Sequence, residues 1–121
     1  MSEEMALGRR GEDLAHRYLQ RAGYRVIARN YRVGGGDAEI DIIARHFEIV
    51  VFVEVKARST AEFGSPDRAI GAAKRKNIVI AAHSYATRAG IGWDQVRFDT
   101  ISIVFRPTPA IVHDQDAFFE D

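Results

Sequence analysis

Residues 39–59 read EIDIIARHFEIVVFVEVKARS and set four charged side chains, Glu39, Asp41, Glu54 and Lys56, inside two runs of β-branched residues. Ile40, Ile42, Ile49, Val51, Val53 and Val55 recur at period two, the pattern of strands with a face packed on a core. Charge in such strands is costly unless something balances it. A tight turn between Phe47 and Glu48 predicts a hairpin in which Arg45 faces Val50, Ile43 faces Phe52, Asp41 faces Glu54 and Glu39 faces Lys56. Directly opposed Cβ atoms lie about 4.5–5.5 Å apart, so this register draws two carboxylates and an ammonium onto one small patch. A slip of one residue would disperse them.

Facing carboxylates repel, and three things relieve them: a retained proton, a neighbouring cation such as Lys56 or an arginine, or a divalent metal ion between them. The metal reading suits the ligand chemistry, because Mg²⁺ takes hard oxygen donors, usually one or two carboxylates with several waters retained. A structural ion-pair cluster at the sheet edge accounts for the same residues, and spacing alone leaves both readings open. A third acid lies upstream. On a helical wheel Glu12 borders the apolar stripe close in angle to Gly8, Ala15 and Leu19, so its head group can reach over a sheet edge instead of into bulk water. Gly8 and Gly11 are expected to let that helix approach closely, at about 1 kcal/mol each in helix propensity.

The elements that must position these groups follow from periodicity. Residues 5–22 are predicted helical, with Leu7, Gly11, Leu14, Ala15, Tyr18 and Ala22 on one side and Gly23 as a stop. Strands are predicted at 24–32, 38–45 and 49–57, then a loop through RSTAEFGSP. A second helix is expected at 66–89, with Gly71 able to break it into two pieces, and a fourth strand at 95–105. Pro107 and Pro109 end that strand, and Ala110 to Val112 can add a short edge strand. The order predicts an α/β fold, a mixed four- to five-stranded sheet flanked by helices. Residues 1–106 then form the domain and 107–121 an acidic C-terminal tail.

Length and composition bound the rest. At 121 residues the chain suffices for one hydrophobic core and is short for two. No apolar run approaches the ~20 residues of a membrane span, and MSEEMALGRRGED lacks the apolar centre of a signal peptide. Without cysteine there is no disulfide and no thiolate metal site, and a cytoplasmic protein is expected. The four histidines, His16, His46, His83 and His113, show no zinc spacing and read as structural or surface groups. GGG at 34–36 lacks the lysine and helix of a phosphate-binding loop. Tyr24, Phe52, Phe98 and Phe105 are expected in the core. A formal net charge of zero argues against a simple polycationic binder, yet residues 9–32 hold seven arginines against two acids, a local +5. An even total can therefore conceal a basic face.

Asp41 followed by Glu54-Val55-Lys56 on the next strand resembles the D…(D/E)-x-K signature of the PD-(D/E)xK restriction-endonuclease-like superfamily. Glu12 stands where its Holliday-junction-resolvase-like branch has an extra acid. More narrowly, GRRGEDLAHRYLQRAGYRVIARNYR, EIDIIA, VVFVEVKAR and VRFDTISI, in that order over residues 8–105, resemble the bacterial YraN-like family of uncharacterised proteins. The glycine turn GGGDA is longer than in related sequences. The resemblance implies a restriction-endonuclease-like core and metal-dependent phosphodiester hydrolysis on DNA, branched or structured DNA included. It implies catalytic roles for Asp41, Glu54 and Lys56, and Mg²⁺ or Mn²⁺ bound by Asp41, Glu54, the Val55 carbonyl and Glu12. Lys56 would orient the attacking water or stabilise charge on the phosphate. Arg9, Arg58, Lys74, Arg75 and Lys76 are the candidate DNA contacts, with Arg58 and the FGSP loop bordering the site, and a two-fold-symmetric substrate implies a homodimer. The alternative is a non-catalytic nucleic-acid-binding or adaptor module that keeps the fold, or a purely structural interaction protein. Metal affinity dependent on Asp41 and Glu54 separates the first reading from the others.

Overall fold

The structure, a computed structural model, describes residues 1–60 and 71–118. The first part of the second helix expected at 66–89, the FGSP loop and the end of the acidic tail lie outside the described residues. Helix α1 (Glu3–Arg21) begins where Ser2 Oγ accepts the Met5 N–H at 3.1 Å, with Glu3 and Glu4 in the first turn and Arg21 in the last. Both ends thus suit the helix dipole. It stops where Gly23 turns to φ 92° and the Tyr24 N–H closes on the Leu19 carbonyl at 2.9 Å.

Strands β1 (Arg25–Arg32), β2 (Glu39–His46), β3 (Ile49–Thr60), β4 (Val96–Arg106) and β5 (Ala110–Phe118) form one sheet in chain order. β3 and β4 are parallel and the other neighbours antiparallel. The parallel pair requires a crossover, which contains helix α2 (Ala72–Ala89) and the 3-10 turn Trp93–Gln95. Gly71 is the N-cap of this helix, in extended conformation, and the residues before it lie outside those described. Among the described residues no helix is long and apolar enough to cross a membrane.

Each face of the sheet carries its own core. Ile40, Ile43, Val50, Phe52, Phe98 and Phe118 pack with Ile78, Val79, Ala81 and Ala82 of α2. Ile42, Ala44, Val51, Val53, Ile101, Ile103 and Phe105 pack with Ala15 and Leu19 of α1 and with Tyr24. All four aromatic residues expected in the core are buried. Of the two glycines expected to bring α1 close, only Gly11 does so: a Cβ there would lie 2.6 Å from Ala57 Cβ, whereas Gly8 faces open space.

The segment expected to add a strand only at 110–112 pairs through Phe118, so much of the acidic tail is sheet. The cause lies in β4. Asp99 is fully buried and accepts from Arg97 Nε and Nη2 (both 2.8 Å), from the Asp116 N–H (3.0 Å) and from His113 Nε2 (2.7 Å). With Nε2–H donating, His113 Nδ1 accepts the Tyr18 hydroxyl at 2.9 Å, which ties α1 to β5. Burial alone would raise the Asp99 carboxyl pKa; the bonds from Arg97, His113 and Asp116 outweigh it and hold it below the ordinary value.

Candidate functional site

The β2–β3 register is the one predicted, with Arg45 on Val50, Ile43 on Phe52 and Ile42 on Val53. The ladder ends there, one step short of Asp41 and Glu54. Instead of a strand carbonyl, the Asp41 carboxylate accepts the Val55 N–H, at 2.8 Å to Oδ2. This bond holds Asp41 beside the start of the Glu54-Val55-Lys56 triplet. The expected Glu39–Lys56 pair lies beyond the ladder's end, and Glu39 meets Arg32 of β1 at 3.2 Å.

Glu54 is 2% exposed and Asp41 is half-buried. Burial, and then the Glu54 charge, push the Asp41 pKa up to about 8; the Val55 N–H only partly opposes them. The pair as a unit therefore favours holding a proton unless a cation replaces it. One cation is already close. Lys74 Nζ, from the first turn of α2, stands 2.7 Å from Glu54 Oε1. The approach is off the hydrogen-bonding direction, so Oε1 still lacks a well-aligned donor. Lys74, a candidate DNA contact from the sequence, has its ammonium on the buried acid. Asp41, Glu54 and Lys74 line a cavity of about 330 Å³ with Asp37, Glu39, Asn77 and Ile78.

The remaining sequence candidates lie outside the lining of this cavity. Glu12 on α1 feels the Asp41 charge, and burial and that charge raise its pKa, but its carboxylate is engaged by Arg29 at 3.4 Å. Among the described residues no three His, Asp or Glu side chains gather as a metal-binding cluster, so Glu12 does not complete one with Asp41 and Glu54. Lys56 is half-buried on β3, level with Ser102 of β4. Arg58 lines a separate groove of about 460 Å³ with Glu4, Leu7, Gly8, Ala57, Ser59 and Thr60. Arg9 and Lys76 are exposed and Arg75 half-buried. Asp37 and Asn77 were not foreseen. Lys74 had a signal: a lysine in a first turn with no acid and no side-chain cap opposes the helix dipole and needs another reason.

A divalent cation fits these residues. Two hard carboxylates share a cavity, one keeps an incompletely satisfied buried oxygen, and the other must lose a proton to be charged. Mg²⁺ and Mn²⁺ accept such a pair, with waters and backbone oxygens completing the shell.

Residues 11–103 match the model of the uncharacterised protein family UPF0102. A UPF0102 protein of Solibacter usitatus is 46% identical over 111 residues, covering 92% of this chain and 84% of the relative. That of Rhodococcus jostii is 42% identical over 120 residues, covering 98% and 100%. That of Geobacter sulfurreducens is 47% identical over 114 residues, covering 93% and 88%.

Proposed function

The chain belongs to the uncharacterised protein family UPF0102, and from the geometry of its acidic centre we propose that it is a cytoplasmic, metal-dependent nuclease that hydrolyses phosphodiester bonds in DNA. The observation that carries this reading is the buried carboxylate pair on one cavity. Asp41 and Glu54 face one cavity, where burial and the neighbouring charge raise the Asp41 pKa and a bound cation would lower it. A structural cluster would be expected to satisfy both acids, as the fold does at Asp99.

Asp41 and Glu54 would hold Mg²⁺ or Mn²⁺, with the Val55 carbonyl beside them and Glu12 acting from outside the pair. When bound, the ion supplies Lewis acidity toward a phosphoryl oxygen and a water of lowered pKa. The Val55 N–H fixes Asp41 in place, so its carboxylate needs little reorganisation. Lys56, two residues beyond Glu54, places a compact positive charge on the same strand, suited to a developing phosphate charge or to orienting water. The arginines of α1 and β1, with Arg58, Arg75 and Lys76, offer the backbone contacts that DNA demands. Branched or structured DNA is the proposed substrate, and spanning a two-fold-symmetric junction takes two copies of a chain this small.

The test is cleavage of linear, flap and four-way-junction DNA with Mg²⁺ or Mn²⁺, beside Asp41→Asn and Lys56→Ala. Metal-dependent cutting, lost in both variants, is the expected result. Binding without cutting, intact in both variants, would make the protein a non-catalytic nucleic-acid-binding module. Binding that is flat with salt concentration would remove DNA as the ligand. Light scattering of the DNA complex should show a dimer.

A further inference from the structure

We propose that Lys74 is the resident second cation of the acidic centre: its ammonium occupies the position on Glu54 that a second divalent ion would need, and it limits the centre to one ion. This rests on the metal-dependent reading above and specifies how many ions that centre can take.

The charges around the cavity can be followed one by one. Glu39 is met by Arg32 at 3.2 Å, and Glu12 by Arg29 at 3.4 Å, with Arg29 also 2.8 Å from Asp13. These arginines come from β1, which borders β2 in the sheet. Of the acids nearest the β2–β3 opening, Asp41 and Glu54 are left without arginine among the ion pairs described. Lys74 supplies one positive charge to that pair, at 2.7 Å from Glu54 Oε1. The set Asp41, Glu54 and Lys74 then carries a net charge of −1 when Asp41 is ionised. One divalent ion overcompensates that charge, and a second would meet both the first ion and the lysine; the cavity's remaining acids are Glu39, paired with Arg32, and the exposed Asp37.

Space argues the same way. The paired ions of two-metal sites sit about 3.5–4 Å apart and share a bridging carboxylate. Glu54 is the more deeply buried acid and the natural bridge, but one of its oxygens already faces an ammonium at contact distance. The lysine is held there by its backbone. It belongs to the first turn of α2, and the neighbouring turn packs Ile78 and Val79 into the core. Its side chain is nevertheless 60% exposed, so the ammonium closes the cavity from the solvent side without sealing it. The placement also runs against the local electrostatics of the helix, where an acid would be the stabilising residue.

The test counts ions and does not depend on catalysis. Mn²⁺ is titrated into the intact protein by calorimetry, and the loaded protein is measured by electron paramagnetic resonance. Wild type should bind one ion and give an uncoupled spectrum. Lys74→Gln should bind two, with the dipolar coupling of closely spaced ions, and its first ion should bind about tenfold more tightly, as expected when a charged partner leaves the carboxylate. Lys74→Arg, which keeps the charge, should remain at one ion and serves if the glutamine variant does not fold. Two coupled ions in wild type would overturn the assignment while leaving metal-dependent hydrolysis intact. One ion in Lys74→Gln at unchanged affinity would overturn it too. No Mn²⁺ binding to any form would remove the metal-dependent reading itself and the Lys74 assignment with it.

Discussion

If Asp41 is held for chemistry at the expense of the fold, replacing it should stabilise the protein. Asp41→Asn keeps the shape and an amide oxygen to accept the Val55 N–H, and it removes the charge that Glu54 and burial oppose. The sign follows from proton linkage. An acid whose pKa is raised on folding binds its proton more tightly in the native state. The stability it contributes is therefore fully present below the unfolded value of 3.8 and lost as pH rises toward about 8. The interval between those values, at about 1.4 kcal/mol per pH unit, sets an upper bound of about 6 kcal/mol. The Lys74 charge opposes the shift that the Glu54 charge produces, and Asp41 retains some solvent contact, so about 2 kcal/mol is the expected share.

The assay is urea unfolding of wild type and Asp41→Asn in EDTA, from acid to mildly alkaline pH. The variant should be more stable by about 2 kcal/mol above pH 8, roughly 6 °C in Tm, with the advantage shrinking steadily toward acid pH. Saturating Mn²⁺ should reverse the order, because an ion at 100 times its Kd adds about 2.7 kcal/mol to the form that binds it. An Asp41→Asn protein less stable than wild type at every pH would refute the reasoning, making Asp41 a structural anchor.

Gly11→Ala should destabilise by about 1–3 kcal/mol through the 2.6 Å approach to Ala57, despite the gain in helix propensity. Ala57→Gly in the same chain should restore most of that loss in urea melts. Asp99→Asn should cost about 3 kcal/mol, since it leaves the Arg97 charge without its partner, and amide exchange should show β5 released first. The Asp99 pKa is lowered on folding, so its stabilisation exists above 3.8 and fades as pH falls through the lower native value. The acid limb of the stability profile should therefore flatten in that variant.

The hairpin was legible because its information is local. A two-residue turn at Phe47 and Glu48 and strict alternation fix which residues face each other, and the ladder agrees down to Ile42 and Val53. The next step was not legible. The bond from Val55 to Asp41 exists because the strands stop pairing there, and alternation carries no mark of where a ladder ends. Lys74 read as a candidate DNA contact because a sequence shows its charge, while its partner depends on how far its stem reaches to another element. The length of β5 was missed for a third reason. Its acids resemble a solvated tail until they are placed next to β4, where His113 and the Asp116 backbone both converge on Asp99. His113 was read as structural, but its partner lies 14 residues away in sequence and adjacent only across two strands.

The same sheet solves the problem of a buried acid twice, and the contrast separates structure from function better than either site alone. At Asp99 the fold supplies a guanidinium, an imidazole and a backbone N–H, and the carboxyl pKa falls. At Asp41 the described residues set a backbone N–H against a second carboxylate, and the pKa rises to about 8. Arginines are close at hand on β1, but they neutralise Glu12, Asp13 and Glu39. A chain able to satisfy one acid so fully, with arginines on the strand beside β2, has set a lysine and a proton against the charge of the other pair. Both are groups that a divalent ion can displace or accompany, which is the condition of a site kept ready for one.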